Sequence, residues 1–174
     1  MKDDFDLTPL AEKKPKRKNS KAKGSTFERK VCRLLNEKFG TKEFSRTPGS
    51  GAYATTHNLP AHLKIYGDVI TPLNFQFDIE AKKGYSKENI CSFFNPKSDL
   101  RRMIDQANRD SKKSGHYFLL IIEQDRRDAI AITNYKFNLN DFKFHMEIVG
   151  STGDRLYASS LKELLRVDNN EFFE

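Results

Sequence analysis

Cysteine is nearly absent from this sequence. Cys32 and Cys91 are the two among 174 residues, far apart and in no CxxC spacing. That scarcity excludes a disulfide framework and a zinc ribbon and favours a reducing compartment. Long apolar runs are missing too. The longest, 117–122, is far too short to cross a bilayer. The basic N-terminus lacks the apolar stretch of a secretory signal, so the chain is expected to be soluble and intracellular. The four histidines, His57, His62, His116 and His145, form no HExxH or close ligand pair, which leaves them as surface or core residues. No P-loop occurs, so an ATP-driven motor is not expected in this chain.

Charge is what the chain has in quantity. Charged residues make up 32% and hydrophobic residues 37%, polar for a globular protein but well short of the disordered class. The length fits one domain with an ordinary core. The net charge of +7 is unevenly placed: residues 1–24 hold eight Lys/Arg against four acids. Such an excess attracts polyanions, and nucleic acid is the leading partner; a solvated tail that aids solubility has the same composition.

Residues 1–23 contain the run AEKKPKRKNSKAK with Pro15 inside it and read as a disordered basic arm, leaving 24–174 as a single domain. A nuclear-localisation patch looks the same. Folded structure is expected from Ser25, where Phe27, Val31, Leu34 and Leu35 recur at helical spacing and Gly40 ends the pattern. Residues 46–62, RTPGSGAYATTHNLPAH, read as a loop. Short strands follow around 65–70 and 75–82, then a helix over about 98–113 with the stripe Leu100, Met103, Ile104 and Ala107, and strands at 117–123 and 129–133. Phe142, Phe144, Met146 and Ile148 alternate as in a strand, and Ser160 opens a short helix. The order implies an α/β fold with one central mixed sheet flanked by helices. The aromatic residues, mainly Phe at strand spacing, suit a core better than a base-stacking platform.

The segment Phe75-Gln76-Phe77-Asp78-Ile79-Glu80-Ala81-Lys82 carries the chemistry. Alternation puts Phe75, Phe77, Ile79 and Ala81 on one face and Gln76, Asp78, Glu80 and Lys82 on the other. A half-buried strand with a solvated face has the same pattern. Eleven residues separate Asp68 from Glu80, enough for a strand end, a turn and a return, so the two carboxylates can converge. Hard oxygen ligands at one point are what Mg²⁺ needs, and a nearby Lys is placed to orient a water or to stabilise charge on a phosphate. Glu28 flanks the apolar stripe of the first helix and has two competing readings. Ser25-x-x-Glu28 is a capping box, and a carboxylate engaged in that cap is not free for metal. Arg46 offers a planar fork suited to phosphate oxygens.

Taken in order, KGSxFER at a helix start, RTPGSG, GD and EAK resemble the archaeal Holliday junction resolvases and related phage nucleases of the PD-(D/E)XK superfamily, over roughly residues 23–123. The resemblance implies a restriction-endonuclease-like core and a homodimer acting on branched DNA with Mg²⁺, or Mn²⁺ in its place, in the cytoplasm of a bacterial, archaeal or phage-infected cell. It implies that Asp68, Glu80 and Glu28 are metal-binding acids and that Lys82 is the catalytic lysine. It sets Ser50 near the scissile phosphate and Gln106 facing the site. Gly67 stands where many members carry Pro, and both the arm and residues 134–174 lie outside the shared core.

The expected function is a metal-dependent endodeoxyribonuclease, with resolution of four-way junctions ahead of cutting in duplex, nicked or flapped DNA. Lys23, Arg46, Ser50 and the helix face of Arg101, Arg102, Arg109, Lys112 and Lys113 are the expected DNA contacts, although such a face is also what solvated surface looks like. A DNA-binding or assembly protein with an inert nuclease-like site is the reading from another class.

Overall fold

Period-two alternation around Phe77 sets an apolar row against a polar one, and the structure is organised on that strand. The computed structural model describes residues 20–48, 66–138, 142–143, 145–150 and 154–174. Strand β3 (Phe77–Lys83) runs parallel to β4 (Tyr117–Glu123) in a ladder from Phe77↔Tyr117 to Lys83↔Glu123. The crossover between them is helix α2 (Asp99–Ser114). The Ser98 hydroxyl caps its start by accepting the Arg101 N–H, and Gly115 ends it in the left-handed conformation, φ 82°. On the other side β3 pairs antiparallel with β2 (Val69–Ile70), which pairs with β1 (Ser45–Arg46). Beyond β4 come β5 (Ile130–Thr133), β7 (Arg155–Ser160) and β6 (His145–Val149). Among the described residues the seven strands form one sheet in the order β1-β2-β3-β4-β5-β7-β6.

Helices cover both faces at the centre, which is why β4 reads as an unbroken apolar run. On one face α1 (Ser20–Phe39) packs Phe27, Val31 and Leu35 with Phe77, Ile79, Leu119 and Ile121. On the other α2 packs Leu100, Met103, Ile104 and Ala107 with Phe118, Leu120 and Ile122. The C-terminus closes the α1 side through α3 (Leu161–Leu164) and a 3₁₀ turn at Asn169–Phe172. Phe172 is fully buried and stacks on Phe75, and the Gln76 N–H donates to the Phe172 carbonyl. Residues outside the expected shared core therefore complete the core. Each such buried Phe contributes about 1.5–3 kcal/mol.

Several expectations change. Helix α1 starts at Ser20, inside what was read as the arm, because Lys21, Ala22 and Lys23 are good helix formers. Ser25 lies within the helix, and its hydroxyl and that of Thr26 both donate to the Ala22 carbonyl. Ser25 is therefore not an N-cap and no capping box forms there. The tail strand is β6, in which Ile148 is buried but Met146 is 43% exposed, so the alternating apolar row is not a buried face. Phe144 lies outside the described residues. Strands β1 and β7 and a 3₁₀ turn at Ile90–Phe94 were not anticipated.

Gly67 marks a close approach of two backbones. Its φ of +80° is closed to proline, and a Cβ there would stand 2.4 Å from the Ile79 carbonyl oxygen. Backbone approach is what lets Asp68 N–H donate to that same oxygen at 2.8 Å. Gly67→Ala should lower the unfolding free energy by at least about 2 kcal/mol in urea titration. An unchanged midpoint would contradict the close approach.

Candidate active site

Asp68 begins where Gly67 ends. Its backbone is held from two sides, since its N–H donates to Ile79 and its carbonyl accepts the Thr47 N–H at 3.0 Å. The Asp68 carboxylate accepts the Ala81 N–H at 3.0 Å and the Lys82 ammonium at 2.9 Å. The same ammonium donates to Glu80, which lies two positions away on the same face of β3. Asp68 and Glu80 are each 4% exposed. Two carboxylates thus meet over one lysine at the junction of β2 and β3, as the alternation and the eleven-residue spacing foretold.

A family model described as "Phage putative PDDEXK endonuclease" matches residues 19–154. The chain belongs to the phage PDDEXK endonuclease family. It is 31% identical over 116 residues to "Protein D14" of Escherichia phage T5, a match that covers 62% of this chain and 66% of that protein. No solved structure matches. The mixed sheet flanked by helices is the PD-(D/E)XK α/β core that this family implies.

The charge state of the two acids follows from their surroundings. Burial, and then the charge of Asp68, push the Glu80 carboxyl up to about 7 against the pull of Lys82. Burial works to lower the Lys82 pKa, but Glu80 and Asp68 together outweigh it and hold the ammonium above its usual range. One lysine cannot neutralise two buried carboxylates, so the pair keeps a proton near neutral pH when no other cation is present. Such a surplus of hard oxygen donors fits a divalent cation.

Glu28 is buried on α1 and forms an ion pair with Arg46 of β1. Arg46 is in register with Val69, a residue of the α1-side core, so this pair belongs to the sheet face opposite Glu80. Among the described residues no group of three or more His, Cys, Asp or Glu side chains is arranged to hold a metal. The structure therefore brings Asp68, Glu80 and Lys82 together and sets Glu28 with Arg46. That pairing needed a tertiary contact between α1 and a two-residue strand, for which the sequence carried no signal. Ser50 lies outside the described residues.

The remaining candidates are more scattered. Arg101 pairs with Asp105 and Arg102 with Asp99 along α2, and Lys113 pairs with Asp110. Arg109 and Gln106 are exposed, and among the described residues no hydrogen bond joins Gln106 to the acids. Lys23 pairs with Asp125 at 3.6 Å. An open groove of about 470 Å³ is lined by Arg29, Arg33, Ser45 and Arg46, and by Glu37, with which Arg33 pairs. Sequence reasoning missed the first two arginines. The larger apolar groove, about 510 Å³, is floored by Leu100, Ile122 and Ile130, and Asp68, Glu80 and Lys82 do not line it. Asp78 is buried on the acid face but is occupied by Ser114 and His116, whose ring nitrogen lies at 3.1 Å, and its role is structural.

The raised Glu80 value has a definite sign in stability. Between its ordinary 4.5 and about 7 the metal-free folded state binds more protons than the unfolded one, so stability falls as pH rises through that window. Thermal or urea unfolding in EDTA should show that decline, with Glu80→Gln flattening it by a few kcal/mol across the window. Parallel curves for the two proteins would mean that Glu80 titrates normally.

Proposed function

We propose that the protein is a metal-dependent endodeoxyribonuclease that hydrolyses phosphodiester bonds at the Asp68–Glu80–Lys82 cluster. The observation that carries this reading is the meeting of two buried carboxylates over one lysine at the end of antiparallel strands. A cluster serving stability alone gains little from two like charges out of water. Membership of a phage endonuclease family supports DNA as the substrate.

Asp68 and Glu80 would hold the metal. The chemistry that Mg²⁺, or Mn²⁺ in its place, supplies when bound is a water of lowered pKa and charge neutralisation at the phosphoryl oxygens. The Asp68 carboxylate is held in place by the Ala81 N–H, so the ligand set is oriented in advance. Lys82 would orient the attacking water for in-line displacement and stabilise charge on the phosphate. Arg46, with Glu28 setting its guanidinium, and the Arg29–Arg33 groove would bind flanking phosphates, with Ser50 close to the scissile one. Affinity should then fall steeply with salt.

Within this activity we take branched DNA as the substrate and a homodimer cutting a four-way junction in two symmetric positions as the working form. The succession KGSxFER, RTPGSG, GD and EAK supports this choice, since two symmetric cuts require two sites related by a two-fold axis.

Cleavage of labelled four-way junction, flapped duplex and linear duplex, with Mg²⁺ or EDTA, tests the proposal. Metal-dependent paired cuts in the junction should be reduced about 100-fold or more in Asp68→Asn and in Lys82→Ala. Equal cutting of all three DNAs would keep the nuclease and remove the junction preference. No metal-dependent cutting of any would favour an inert DNA-binding protein.

A further inference from the structure

The chain leaves the catalytic strand through an unfavourable turn. Directly after Lys83, Gly84 has φ 109° and Tyr85 has φ 56°. Left-handed backbone suits glycine, but for a bulky side chain it is an outlier. Among the described residues only Arg126 shares it without being glycine. The turn is clamped through its backbone. Gly84 N–H donates to the Glu123 carbonyl at 3.0 Å and Glu88 N–H to the Tyr85 carbonyl at 2.9 Å. The Gln124 side-chain amide donates to the Tyr85 carbonyl at 2.8 Å and also to that of Glu88. The Glu88 carboxylate in turn accepts the Asp99 and Leu100 N–H groups at the start of α2, each at 3.4 Å.

A glycine at position 85 would keep every one of these bonds with less strain. The Tyr85 ring takes part in none of them, and the residue is 41% exposed. Other large aromatic rings are exposed at Phe94 and Tyr117. Tyr117, however, pairs with Phe77 at the opposite end of β3, and Phe94 lies nine residues further along the chain. Tyr85 is three residues from Lys82, so their Cα atoms are within about 11 Å. Strain held rigidly beside a reactive site is a mark of function rather than of folding.

We infer that Tyr85 is a substrate-positioning residue that stacks on an unpaired nucleobase next to the phosphodiester held at Asp68 and Glu80. This rests on the nuclease reading and narrows it. In continuous duplex each base is already stacked between its neighbours, whereas a base at a flap or branch point presents its face to an aromatic ring. The enzyme therefore favours DNA with unpaired bases over matched duplex.

Fluorescence anisotropy in EDTA, where no cleavage occurs, measures the binding of the full chain to a flapped DNA and to a matched duplex. Tyr85→Ala and Tyr85→Gly should bind the flapped DNA about ten-fold or more weakly, with duplex affinity little changed, while Tyr85→Phe stays within about two-fold of wild type. Tyr85→Gly should also melt at a higher temperature than wild type, which separates lost stacking from lost folding. An equal loss on both DNAs, no loss on either, or a Phe variant as weak as the Ala variant would overturn the role given to Tyr85. Wild type that binds neither DNA would overturn the nuclease reading with it.

Discussion

The Lys82 ammonium lies between the carboxylates of Asp68 and Glu80, and the surrounding structure serves to make that arrangement tolerable. Two buried like charges repel and lose their hydration, and one lysine offsets only part of this. The rest comes from fixed neighbours. The Ala81 N–H points at Asp68, and the Asp68 backbone is bonded to Ile79 on one side and Thr47 on the other. These hold only because β3 is the inner strand of a sheet whose α1 face is filled by Phe75, Phe77, Ile79 and Phe172. Gly67 completes the constraint. Any larger residue there would push β2 away from Ile79 and draw Asp68 off the lysine.

Much of this was legible in the sequence. Alternation along β3 put Glu80 and Lys82 on one face, and the spacing from Asp68 allowed the second carboxylate to return to it. The ends of α2 were readable because Ser98 and Gly115 are local signals that need no tertiary partner. What could not be read depends on contacts distant in the chain. Strand β1 is two residues long and exists only by pairing with β2, so the union of Arg46 with Glu28 had no local trace. In β7 both Leu156 and Tyr157 are buried, which erases the period of two. Along α2, Asp99, Asp105 and Asp110 stand three or four residues from Arg102, Arg101 and Lys113 and pair with them, a local spacing the sequence already displays.

Arg29 and Arg33 line one groove with Arg46, which is in register with Val69, the residue after Asp68. The acid cluster lies on the sheet face opposite the Glu28–Arg46 pair, and Tyr85 stands two residues beyond the end of β3. Family membership over residues 19–154 covers all of these parts.

Calorimetric titration of Mn²⁺ into the full-length protein at pH 8 tests the acid pair most directly. Wild type should bind the metal, Asp68→Asn and Glu80→Gln should each lose at least about ten-fold in affinity, and Arg46→Ala should not. Equal affinity in wild type and both acid variants would contradict a metal centre at Asp68 and Glu80.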